Sequence, residues 1–335
     1  MKKMTKRELV KSAIKHENTG NVPSCIHLAG DGIEKYTDLL YERYKTPVSK
    51  KLYESGKLNK YDTVRLAIGN DVFPVEPPWW SWYGLTDSDF GHEIPLKLPR
   101  TMGYGPSVKE LSDRMKMIKE ETGCYILIQI FGSHFEKAYF SRGIENFLAD
   151  MAGEPEYAQA LLDKIIDKNL VMLENIIYLP EIDGVLLGSD WGSQKSLLMS
   201  PASWREMIAP GEKKEYDLIH DAEKDVWVHS CGCIDAIIPD LIEMGLDVLN
   251  PVQPECMDIS FLKSEYGDRL TFWGGISTQR TLPYGTPEQV AEETHATIEL
   301  MSKNGGYITS SSQEIQADVP YENLCAMIDA ALEHK

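Results

Sequence analysis

Nine short apolar runs rich in β-branched and aromatic residues alternate along the chain with longer segments of helical period. That alternation is what a parallel sheet with crossover helices requires, because parallel strands can be joined only by long connections. The runs are "VPSCIHL" (22–28), "DTVRLAI" (62–68), "DVFPVE" (71–76), "CYILIQI" (124–130), "GVLLG" (184–188), "DVWVHS" (225–230), "DVLNPV" (247–252), "LTFWGGI" (270–276) and "GYITS" (306–310). A closed α/β barrel has eight strands, so one of the nine runs is expected to be a hairpin or a loop, and "DVFPVE" is the one singled out. The intervening segments carry helix signatures. Leu161, Leu162, Ile165, Ile166, Leu170 and Leu173 form one apolar stripe. Ile234, Ile237, Ile238, Leu241 and Ile242 form another, ending at Gly245 as a C-cap, and Thr286-Pro287-Glu288 reads as a helix start.

No linker, repeat or low-complexity tract divides the 335 residues, so the expectation is a single TIM (β/α)8 domain over 1–335. It is prefaced by an N-terminal helical extension at 1–20 and carries an aromatic-rich insertion or lid at 77–110. A net charge of −18 without a basic cluster excludes a nucleic-acid binder and disfavours anionic membranes. With no long apolar run and six scattered cysteines, a cytoplasmic protein with reduced thiols is expected.

In an α/β barrel the chemistry lies at the C-terminal ends of the strands. There the sequence collects His27, Gln129 to His134, Ser189-Asp190-Trp191-Gly192, His229-Ser230-Cys231, Asn250 with Gln253, Gly274-Gly275, and Ser310 to Glu314. In "VWVHSCGC" the His229 and Cys231 side chains, two apart on an extended strand, point the same way. Three readings stay open: a zinc pair, a catalytic Cys–His dyad, or a buried thiol beside a histidine satisfied by backbone carbonyls. Cys233 reads as a third ligand or as the cap of the next helix. Asp190 reads as a catalytic acid/base or orienting carboxylate, or as the N-cap of "GSQKSLL". Trp79, Trp80 and Trp82, together with Gln129, Trp191 and Asn250, are candidate substrate-binding residues; the tryptophan cluster reads equally as a packed lid.

"VWVHSCGCIDAIIPDLIEMGLDVLNPVQPECMD", "RLTFWGGISTQRTLPYGTPEQVAEE" and "GGYITSSSQEIQADVPYEN", in this order and spacing, resemble the uroporphyrinogen decarboxylase superfamily. They are most similar to its cobalamin-dependent methyltransferase branch, which includes the methylcobamide:coenzyme M methyltransferases. "MTKRELVKSAIKHENTGNVP" and "SDWGSQKSLLMSPASWREMIAP" share the resemblance, which covers nearly the whole chain. It implies a TIM barrel that moves a methyl group between a small methylated substrate, such as an O-methyl aromatic, or an acceptor, and a corrinoid (cobalamin) carried by a separate corrinoid protein. It also implies zinc, held by the histidine and cysteine of the H-x-C motif and by a cysteine of the last strand. His229 and Cys231 match the first two, whereas the third position aligns with Gln313, next to Glu314. Zinc completed by an oxygen of Gln313 or Glu314, a weaker site completed by water, and no metal all remain open. The decarboxylases carry an arginine-rich segment after the first strand; here it reads "HLAGDG" (27–32), without arginine, which disfavours decarboxylation of a porphyrin-like acid. A non-catalytic corrinoid- or ligand-binding barrel is the remaining alternative.

Overall fold

The computed structural model describes residues 4–77, 107–130, 132 and 134–335. Trp79, Trp80 and Trp82, and nearly all of the expected insertion, lie outside the described residues. Among the described residues seven strands form one sheet whose order follows the chain: β1 (Val72–Val75), β2 (Tyr125–Ile130), β3 (Gly184–Gly188), β4 (Asp225–His229), β5 (Val248–Val252), β6 (Thr271–Ile276) and β7 (Tyr307–Ser311). Neighbouring strands in the resolved registers are parallel.

By its contacts the chain divides into two compact units, one of residues 1–73, 117–126 and 247–335, the other of residues 74–116 and 127–246. In the first unit, residues 22–28 run parallel to β7 and its extension, bridging at Ser24–Thr309 and Leu28–Ile315. Between the two bridges three residues on one side face five on the other, so the ladder is interrupted by a bulge and no continuous strand forms. On its other flank the same segment accepts a hydrogen bond at the Ser24 carbonyl from the Asp71 backbone N–H. Residues 22–28 therefore occupy the place of an eighth strand.

Two expectations are corrected. Residues 62–68 are not a strand: the helix Lys60–Ala67 and its C-cap Ile68 take them up, with Asn59 accepting the Asp62 N–H as N-cap. The cap and the acidic residue in the first turn outweigh the β-branched run. Conversely, "DVFPVE" is a strand. All four β1 residues are buried, and burial on both faces holds the run despite the donor that Pro74 lacks.

Around this framework the first unit's core gathers Ile26, Leu28, Tyr36, Leu40, Ile276 and Ile328. In the second unit the helix Pro155–Glu174 packs its Leu161, Leu162, Ile165 and Ile166 stripe, and it lies against the helix Ala209–Asp221. Gly245 ends the helix Ile238–Met244 in the left-handed conformation, at φ 99°. Thr286 caps Pro287–Met301 in a reciprocal arrangement with Gln289. Thr286→Ala is expected to cost about 1 kcal/mol; urea unfolding measures it, and an unchanged midpoint would mean that this cap contributes nothing.

Candidate metal centre

β3 and β4 pair in parallel with Gly188 opposite His229, so both strands end at the same level. Hydrogen bonds from backbone N–H groups then clamp the two strand ends together. Ser189 N–H donates to the His229 carbonyl at 2.8 Å, Trp191 N–H to Ser230 Oγ at 3.1 Å, and Cys233 N–H to the Ser193 carbonyl at 2.7 Å. The contact is close because both chains are glycine where they cross. A Cβ on Gly192 would lie 2.6 Å from the Cys231 carbonyl oxygen, and one on Gly232 would lie 2.6 Å from both the Gly192 carbonyl carbon and the Ser193 carbonyl oxygen. Gly232 also has φ +84°, where L side chains are strained.

The clamp brings three unlike donors together. Cys231 Sγ lies 3.3 Å from His229 Nε2, and Asp190 Oδ1 lies 3.7 Å from the same nitrogen. One ligand atom from each of the three residues falls within 4.8 Å of the others. Ligands about 2.0–2.3 Å from a tetrahedral ion stand roughly 3.3–3.6 Å apart, so the donor set fits zinc. The His229 side chain is 21% exposed and that of Asp190 39%, leaving the group reachable from solvent. Asp190 Oδ1 accepts the Cys231 N–H at 2.8 Å, which ties the carboxylate to the thiol-bearing residue.

Asp190 is not a helix cap: the next helix, Pro201–Ser203, is capped by Ser200. Cys233 is not a cap either. The helical segment that follows begins at Asp235, with Ile234 before it and no side-chain cap bond. Gln129 is buried on β2, in register with Leu186 of β3. Trp191 is fully buried and packs edge-on against Trp204 at 5.4 Å. In the other unit, Asn250 is buried on β5 and donates to the Trp273 carbonyl, Gln313 is half-buried in the bulge after β7 with its carbonyl accepting from Ser311, and Glu314 is exposed. Of the groups of His, Cys, Asp and Glu that could share an ion among the described residues, none includes Glu314.

The sequence reading missed a second group: His134, Glu212 and Glu215, all buried. Burial, then the neighbouring Glu212 charge, push the Glu215 carboxyl up to about 8. Burial likewise brings the Lys137 ammonium down to about 8. Glu212 and Glu215 stand three apart on one helix face, a spacing that in sequence looks like an ordinary solvated surface.

A parallel sheet whose strand ends gather a nitrogen, a thiol and a carboxylate that could hold a metal ion describes an α/β protein with a candidate metal site, and comparison with known proteins gives its family. It belongs to the uroporphyrinogen decarboxylase (URO-D) family, whose model matches residues 95–334. It is 25% identical over 239 residues to a methylated-thiol–coenzyme M methyltransferase of Methanosarcina mazei, a match covering 71% of this chain and 61% of the relative. It is 26% identical over 137 residues to the methylcobamide:CoM methyltransferase MtaA of Methanosarcina barkeri, covering 41% of this chain and 38% of that protein. In both cases the match spans less than two thirds of the relative's length. The solved structure of a methyltransferase from Methanosarcina mazei shares the fold, with a TM-score of 0.70 at 18% identity over 99% of both chains. No helix among the described residues is long and apolar enough to cross a membrane.

Proposed function

We propose that this chain is a corrinoid-dependent methyltransferase, moving a methyl group between a small methylated compound or acceptor and the cobalt of a corrinoid carried by a partner protein. The observation that carries the reading is the convergence of Asp190, His229 and Cys231 at the ends of β3 and β4. The methyltransferase names of the relatives support it. His229 Nε2, Cys231 Sγ and Asp190 Oδ1 would hold the zinc, so Asp190 takes the place that the resemblance gives to Gln313 or Glu314. Zinc bound there supplies a Lewis acid that lowers the pKa of the substrate oxygen or sulfur atom. The chain's own part is positional. The paired strand ends fix His229 against Cys231, and the Cys231 N–H fixes the Asp190 carboxylate, so the donors need little reorganisation when a substrate atom arrives. The protein is expected to act free of membranes, away from nucleic acid, and in the cytoplasm. Decarboxylation is the weaker reading, since residues 27–32 offer no arginine to a polycarboxylate.

Anaerobic incubation with cob(I)alamin and a panel of O-methyl aromatics, methylated thiols and methylamines tests the proposal through formation of methylcobalamin. Zinc-loaded protein that methylates cob(I)alamin from none of them, and demethylates methylcobalamin to no thiol, would sink it. Carbon dioxide release from a carboxylic acid would favour the decarboxylase instead. Asp190→Asn, which replaces a charged zinc ligand by a neutral amide oxygen, is expected to weaken metal binding and lower turnover with it, with the urea midpoint unchanged, because no helix begins at Asp190. A lowered midpoint with normal turnover would make Asp190 a structural residue.

A further inference from the structure

His134 and Lys137 on the helix His134–Arg142, and Glu212 and Glu215 on Ala209–Asp221, are closed off from solvent, each at most 1% exposed. None has a part in the proposed reaction. His134 Nε2 lies 3.1 Å from the carbonyl oxygen of Ile208. A carbonyl only accepts, so this nitrogen carries the hydrogen. In the neutral ring Nδ1 is then a bare acceptor, and it faces Glu212 Oε1 at 3.2 Å. Two acceptors do not meet at that distance unless a proton or a cation lies between them.

Further observations favour the cation. One oxygen from each of Glu212 and Glu215 and a nitrogen of His134 lie within 4.8 Å of one another. Ligands about 2.05 Å from a tetrahedral ion stand about 3.3 Å apart, close to the 3.2 Å found. His134 Nδ1, Glu212 Oε2 and Glu215 Oε2 are buried without a hydrogen-bond partner, a costly state that an ion would relieve. The surroundings are those of ligands already oriented: the second ring nitrogen of His134 donates to a backbone carbonyl, and Ser189 Oγ donates to Glu212 Oε1 at 3.2 Å.

We propose that His134 Nδ1, Glu212 and Glu215 form a second, fully buried site for a divalent transition-metal ion, zinc being the first expectation for a set of one imidazole and two carboxylates. It contains no sulfur and shares no residue with the Asp190–His229–Cys231 group.

Metal analysis of the full chain, purified without chelators, tests the site separately from the first. The wild type should carry two ions per chain, and the double variant His229→Ala/Cys231→Ser should keep one. Glu212→Gln in the wild-type background should lose one of the two. Cobalt(II) taken up by the double variant should show d–d bands without a thiolate charge-transfer band, and EDTA should strip it more slowly than the exposed centre. A double variant that folds, holds no metal and takes up no cobalt would overturn the proposal, and a proton would then join His134 to Glu212. One ion in the wild type that persists in the double variant would support this site and sink the first. If Glu212→Gln does not fold, the comparison of wild type with the double variant still decides.

Discussion

Gly232→Ala is expected to lose the metal at the Asp190–His229–Cys231 centre, and with it the activity, and to be destabilised by about 4 kcal/mol or more, the range reserved for changes that break a specific structural device. The φ of +84° would cost an L-residue roughly 1–2 kcal/mol. The larger part is steric. The new methyl would lie 2.6 Å from backbone atoms of Gly192 and Ser193, and those atoms cannot retreat without breaking the Cys233 N–H bond to the Ser193 carbonyl. Parting the two chains also separates the Cys231 N–H from Asp190 and so dismantles the donor set. Gly30→Ala is the control. Its Cβ would meet nothing within 4 Å, so stability should change by less than about 1 kcal/mol, upward if at all. Urea unfolding and metal analysis on both proteins give the comparison, and a Gly232→Ala protein as stable as its parent would mean that the strand ends are not in close contact.

His229→Ala and Cys231→Ser should each remove the ion held by this centre and bring methyl transfer to background, whereas Cys233→Ser should leave both intact. Alanine offers no donor, and a serine hydroxyl is a far poorer zinc ligand than a thiolate. Cys233 has its backbone committed to Ser193 and its residue outside the converging group. The measurement is zinc per folded chain beside the initial rate of methylcobalamin formation. Metal content unmoved by both of the first two changes would remove the centre altogether, and loss on Cys233→Ser would add that thiol to it.

His229 and Cys231 were legible in the sequence because their relation is local: two positions apart on a strand suffices to align them. Asp190 was legible as a strand-end carboxylate but not as their neighbour, since that depends on the register placing Gly188 opposite His229. The buried His134–Glu212–Glu215 group left almost no trace. Two glutamates at helical spacing look solvated until the fold turns their face inward. The runs from Cys124 to Ile130 and from Leu270 to Ile276 reveal themselves as strands because a short stretch of β-branched and aromatic residues is bounded by turn-forming residues on each side. The errors at 62–68 and 71–76 have one cause: a short apolar run does not reveal its state, and the deciding signals were an Asn59 cap and burial on both sides of Pro74.

The bridges joining residues 22–28 to β7 and its extension link positions about 285 apart in the chain. On a ribosome adding roughly 5–20 residues per second, the early segment waits on the order of tens of seconds for its partner to be made. In that interval Cys25, Ile26 and Leu28, all buried at the end, have no β7 to pair with, and the last strand in turn finds its neighbour only by closing a very long loop. The nascent chain therefore passes through a period with apolar side chains and unpaired backbone donors uncovered, which makes this seam, and not the Asp190–His229–Cys231 group, the place where chaperone binding or aggregation during synthesis should concentrate.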